Sequence, residues 1–195
     1  MADSAAAGPC VALFGGSFNP PHLAHQMAML VVLETEPVDL VWMIPTYRHA
    51  FGKALVDFDD RVAMCRRAAA PLGPRVGVSE VERELGRAQS RSYDTVIELG
   101  RRHPGKSFRL VIGEDILAER DAWHRWDDLV ALAPPIVLGR AGLTPGPGAD
   151  ADPHRIALPA VSSTEVRARL ARGETAVPLV PRAVMDYIAE RGLYL

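Results

Sequence analysis

Cys10-Val11-Ala12-Leu13-Phe14-Gly15-Gly16-Ser17-Phe18-Asn19-Pro20-Pro21-His22-Leu23-Ala24-His25 is the stretch from which the rest of the chain is read. It opens with five apolar residues, the length of a buried strand. Two glycines follow at once, where a backbone can turn sharply or let a ligand come close. Asn19-Pro20-Pro21 cannot continue a strand and stiffens the loop. A helical pattern starts at His22, and His22 and His25, three apart, share a face of its first turn. A strand, a glycine loop and a helix start carrying imidazoles make a place to hold phosphate, because free N–H groups and the positive helix end point at one spot. Gly-x-Gly-x-x-Gly is absent, as is the Gly-x-x-x-x-Gly-Lys-Ser/Thr phosphate loop, so neither of those motifs explains the site.

Working outward, the same alternation repeats. Further apolar runs at 38–44, 75–79, 108–113 and 134–138 read as strands, with a weak sixth at 155–158. Helical patterns fall at 22–33, 58–70, 96–102, 126–132, 163–172 and 181–191, with a short piece at 116–117. Residues 46–56 read as an irregular loop and 80–91 as a polar, charged connection. The Gly-, Pro-, Ala- and Asp-rich segment 142–153 reads as a mobile loop. Strands that are apolar throughout and alternate with helices predict an α/β fold: a doubly wound, mostly parallel, Rossmann-like sheet of five to six strands with helices on both faces. Ligands then bind beyond the C-terminal strand ends, where both Gly15-Gly16 and Gly113 fall.

The 195 residues suit one domain spanning 1–195, with 1–9 as a disordered tail and 163–195 as helices packing on the sheet. A net charge of −2 argues against a general nucleic-acid binder, so a polyanion must be held by a local cationic cluster. No apolar run is long enough to span a membrane, and the N-terminus has no basic and hydrophobic leader pattern. Cys10 and Cys65 both lie in apolar patterns and read as reduced thiols of a cytoplasmic protein.

Two more constellations carry chemistry. In Val161-Ser162-Ser163-Thr164-Glu165-Val166-Arg167, Ser162 and Glu165 form a capping box, while Ser163, Thr164 and Arg167 add donors at the same helix start. In the run from Gly113 to Trp126, Asp115 at a strand end can cap a helix, and Trp123 and Trp126 can anchor a core.

The segment from Gly15 to His25 resembles the first signature of the nucleotidyltransferase superfamily with the His-x-Gly-His motif, departing from it at Ala24, where glycine is usual. The resemblance implies that His22 and His25 contact the phosphates of ATP, with Gly15, Gly16, Ser17 and Phe18 beside them. Residues 162–167 are similar to the second signature, implying that Ser163, Thr164 and Arg167 grip the β- and γ-phosphates. The run with Gly113, Asp115, Trp123, His124 and Trp126 resembles the bacterial nicotinate mononucleotide adenylyltransferases. That likeness implies Asp115 on a ribose, Trp123 stacked on the pyridine ring and the His124 N–H on its carboxylate. Arg91-Ser92-Tyr93-Asp94-Thr95 is similar to the family's Ser-Tyr-Thr-x-Asp-Thr segment with two residues fewer, bringing Tyr93 and Thr95 to the nicotinate. Lys53 resembles the family's loop lysine on the ATP side. The ending with Val180, Tyr187, Gly192 and Tyr194 is also similar, in a packing role. The resemblance implies adenylyl transfer from ATP to nicotinate mononucleotide, catalysed by His22, His25 and Arg167, with Mg²⁺ held mainly by ATP phosphates and no protein metal site. Nicotinamide mononucleotide or phosphopantetheine as acceptor, a non-catalytic nucleotide-binding regulator, and a homo-oligomer all stay open.

Overall fold

A computed structural model describes residues 8–48, 55–140 and 157–195. Lys53, residues 1–7 of the expected tail, the 142–153 loop and the start of the sixth strand lie outside the described residues.

The sheet is built around β1 (Cys10–Gly16), flanked by β2 (Leu40–Pro45) and β4 (Ser107–Gly113). Leu13 stands opposite Trp42 on one side and Leu110 on the other. Beyond them lie β3 (Val76–Val78), β5 (Pro135–Arg140) and β6 (Ala157–Leu158), giving the order β3-β2-β1-β4-β5-β6 with every pairing parallel. Parallel neighbours require crossovers. These are made by α1 (Leu23–Thr35), α2 (Phe58–Ala69), α4 (Ser92–Arg102) and α6 (Trp126–Leu132).

The apolar strands have a direct physical cause. Val11 and Leu13 face a core with Val96, Leu99 and Leu129, while Ala12 between them faces Met29, Val32 and Cys65. Both faces are buried, so neither strand register can be polar. The winding changes direction between β1 and β4, which opens a crevice at their C-terminal ends. Gly15, Gly16 and Gly113 sit at that edge.

Four expectations need correction. The segment 80–91 contains a short helix, α3 (Val81–Leu85), which buries Val81 and Glu82; five residues with three charges are too few to show a period. α4 begins at Ser92, so Tyr93 lies inside its first turn rather than before it. Pro9 is not part of a loose tail, because its carbonyl accepts the Ser107 N–H at 3.3 Å. The C-terminal helices α7 (Ser163–Leu170) and α8 (Arg182–Arg191) cover α2 rather than the sheet: Val166, Leu170, Val184 and Ile188 enclose Met64 and Ala68. Sealing side chains of this size away from water stabilises the added layer by roughly 1.5–3 kcal/mol per large residue.

Candidate active site

The first loop bends at an unexpected residue. Neither Gly15 nor Gly16 has a positive φ; the left-handed position is Phe18, at φ 47°. Such a backbone is costly for a bulky residue, about 1–3 kcal/mol. Burial offsets it: the Phe18 ring is 1% exposed and packs edge-on to His25 at 5.0 Å and to Phe14 at 5.6 Å. A Cβ at position 16 would crowd that ring at 3.1 Å, so the glycine gives the ring room. A Cβ on Gly15 would meet no described residue within 4 Å, which leaves an open floor.

His22 is the N-cap of α1 in extended backbone. Its N–H donates to His25 Nδ1 at 3.0 Å, and the two rings stack with centroids 3.7 Å apart. Because Nδ1 accepts, the ring proton of His25 is carried by Nε2, which makes that atom a hydrogen-bond donor.

The second helix start comes to the same loop. The Ser162 hydroxyl accepts the Glu165 N–H at 3.1 Å and caps α7. The Ser163 hydroxyl donates to the Pro20 carbonyl at 2.9 Å. Arg167 donates through Nη1 to the Asn19 carbonyl at 2.8 Å and through Nη2 to the Thr164 hydroxyl at 3.3 Å. Two helix N-termini separated by well over a hundred residues therefore meet at Asn19-Pro20.

Asn19 is a residue that sequence reasoning passed over. It is 2% exposed, and its Oδ1 accepts the Tyr194 hydroxyl at 2.8 Å and the Val56 N–H at 3.3 Å. Tyr194, expected only to pack, therefore shapes the loop. Loss of solvation raises the pKa of its hydroxyl, keeping it a donor.

Two cavities open along the crevice. The smaller, about 240 Å³, is lined by Phe14, Gly15, His22, Ala24, His25 and Gly113 among others. The methyl of Ala24 therefore faces the ligand space. The larger, about 460 Å³, is lined by Thr46, Glu82, Arg91, Trp123 and His124, with Ser90 and Ser92. Ile116 and Trp123 line both, so the indole stands at their junction. Trp126 meets it edge-on at 5.7 Å and packs on the core.

Tyr93 and Thr95 do not line either cavity. The Tyr93 ring lies under the Arg125 guanidinium, 4.1 Å from its centroid. Thr95 is 4% exposed and donates to the Arg91 carbonyl at 3.2 Å. Their place is taken by Ser90, Arg91 and Ser92, the turn that leads into α4. Asp115 is the second residue of α5 (Glu114–Ala118) at the β4 end, and its side chain lies outside the described residues. Burial pushes the Glu82 carboxyl upward, against hydrogen bonds from Ser90 and the Tyr47 N–H.

Fold and site together define an α/β nucleotide-binding protein with two adjoining ligand cavities at the sheet's switch point. Residues 13–169 match the Cytidylyltransferase-like family. A protein of Anaeromyxobacter dehalogenans strain 2CP-1, named "Probable nicotinate-nucleotide adenylyltransferase", is 50% identical over 94% of this chain and 96% of its own length. One of Myxococcus xanthus with the same name is 42% identical over 94% of each chain. The structure of Plasmodium falciparum nicotinic acid mononucleotide adenylyltransferase complexed with NaAD has the same fold, with a TM-score of 0.77 at 19% identity over 95% of this chain and 97% of that one. The chain belongs to the cytidylyltransferase-like family, among relatives named for nicotinate-nucleotide adenylyl transfer.

Proposed function

We propose that this protein transfers the adenylyl group of ATP to nicotinate mononucleotide, giving deamido-NAD and pyrophosphate. One observation carries the reading: the cavity of His22 and His25 meets the cavity of Arg91 and His124 at Trp123, beside Ile116. An acceptor ring against Trp123 then has its phosphate end toward the histidines.

In the reaction, a 5′-phosphate oxygen of the mononucleotide bonds to the α-phosphorus of ATP. The bond from that phosphorus to the β-bridging oxygen breaks, and pyrophosphate leaves with the electron pair. No protein nucleophile is needed. Cys65 could not serve as one, because burial raises its thiol pKa far above the ordinary range. Holding two anions in line supplies roughly 7–11 kcal/mol. A preorganised donor at the developing charge adds about 3–4 kcal/mol. His25 Nε2–H is that donor in this reading, with His22 stacked on it and the Gly16 and Ser17 N–H groups alongside. Ser163, Thr164 and Arg167 hold the departing pyrophosphate; their ties to Asn19 and Pro20 support this by setting the α7 start against the same loop. Asp115 takes the adenosine ribose, and Lys53 reaches ATP from its loop.

ATP enters as its Mg²⁺ complex. In this reading the ion is carried mainly on the phosphates and water. Arg91 is the one arginine lining the larger cavity among the described residues, and it favours an acceptor with a ring carboxylate over the amide. No described helix is long and apolar enough to cross a membrane. In this reading the protein works in the cytoplasm, where its two free cysteines stay reduced.

The test is pyrophosphate release from MgATP with nicotinate mononucleotide, nicotinamide mononucleotide and phosphopantetheine in turn. The nicotinate compound should turn over fastest. No release with any acceptor, together with tight ATP binding, would favour a nucleotide-binding regulator instead.

A further inference from the structure

Two buried charges sit on opposite ends of one peptide bond. Arg61 of α2 is 1% exposed. Its Nη1 donates to the Thr46 carbonyl at 2.7 Å and to the Ser17 carbonyl at 3.0 Å, and its Nε to the Val56 carbonyl at 3.1 Å. Its acceptors are backbone carbonyls rather than a carboxylate. Glu82 of α3 is 9% exposed, and its Oε2 accepts the Tyr47 N–H at 2.9 Å. The Thr46 C=O and the Tyr47 N–H belong to the same peptide unit. A guanidinium thus grips its oxygen while a carboxyl group grips its nitrogen.

Each charge is costly to bury alone. The peptide dipole between them is aligned so that its negative end meets Arg61 and its positive end meets Glu82, and each side chain also lies within the other's field. The clamped unit stands where β2 ends. Thr46 lines the larger cavity, and Arg48 next along is strapped to Ser90 by Arg48 N–H to Ser90 Oγ (3.2 Å) and Ser90 N–H to the Arg48 carbonyl (3.1 Å). Through Ser17, the same arginine holds the loop of the two histidines.

We infer that Arg61 and Glu82 act as one positioning unit: through the Thr46–Tyr47 peptide they fix the wall of the acceptor cavity against the phosphate loop. Neither touches the reacting atoms in this account. The inference rests on the larger cavity being the acceptor's.

The experiment is a double-mutant cycle of Arg61→Met and Glu82→Gln, with KM measured for both substrates. Each single change should raise the KM for nicotinate mononucleotide about tenfold, and Glu82→Gln should leave the KM for ATP within about threefold. Removing both charges leaves neither stranded, so the double variant's acceptor KM should stay near that of the worse single variant, well below the product of about a hundredfold expected for independent sites. Multiplicative effects would overturn the inference, as would equal rises in both KM values for Glu82→Gln. If Arg61→Met does not fold by circular dichroism, Arg61→Gln, which also removes the charge, replaces it in the cycle. A second readout is independent of turnover: hydrogen exchange at the Tyr47 amide should be slow in the wild type and about tenfold faster in each single variant. Unchanged exchange in both would sink the clamp even with an inactive wild type. An inactive wild type would itself count only against the functional reading.

Discussion

The two ends of the crevice, assigned above to phosphate and to acceptor, are built in opposite ways. At the end assigned to phosphate, the proposed site residues are close neighbours in the chain: His22 and His25 share one helix turn, and Ser163, Thr164 and Arg167 share another. At the acceptor end, Thr46, Glu82, Arg91 and Trp123 come from four separate segments and meet only in space. Short motifs suit a ligand gripped by helix starts, because the helix supplies the geometry. A flat ring flanked by polar groups needs walls from several directions, and these leave no compact pattern in the chain.

Four measurements can break or sharpen that contrast. The largest effect is expected at the compact end: His25→Ala should cut kcat by about a hundredfold or more while circular dichroism stays unchanged. A near wild-type rate would remove the imidazole from the reaction. At the junction, Trp123→Ala should raise the KM for the mononucleotide by about tenfold and that for ATP much less. Equal rises would mean that the indole serves both cavities alike. Arg91→Gln should lower the preference for nicotinate over nicotinamide mononucleotide, in kcat/KM, by about fivefold. An unmoved ratio would assign the carboxylate to other donors, such as the His124 N–H.

The smallest effect concerns pH and the scattered end alone. Burial holds the Glu82 carboxyl above its ordinary value of 4.5, so the folded chain keeps a proton at pH values where the unfolded chain has lost it. The stability this site gives is present at lower pH and falls as pH rises through the window above 4.5. Urea unfolding of the wild type and of Glu82→Gln over that window should show a shallower fall in the variant. Parallel curves would mean that the carboxyl does not titrate there.

The same contrast explains what could be read from the chain. Strands β1, β2, β4 and β5 were legible because burial on both faces writes an unbroken apolar run. The α7 start was legible because a capping box and Arg167 fall at helical spacing. The acceptor lining was not. Tyr93 looks like a ring-contacting residue, yet the register of α4 turns it under Arg125 and leaves the cavity to Ser90, Arg91 and Ser92. Glu82 looks like one more surface charge in a charged run, and only the packing of α3 buries it. Asn19 looks like loop punctuation beside two prolines; its partners lie at 56, 167 and 194, beyond any local pattern.

Those three clasps make the histidine loop poorly portable. A graft of residues 15–25 onto another parallel sheet would carry over both imidazoles and the glycine floor. It would leave behind the amide, the guanidinium and the phenol that hold Asn19 in place. The transplanted segment would then sample many shapes where this chain keeps one. An engineer wishing to move the site should expect to bring α7 and the final turn along with it.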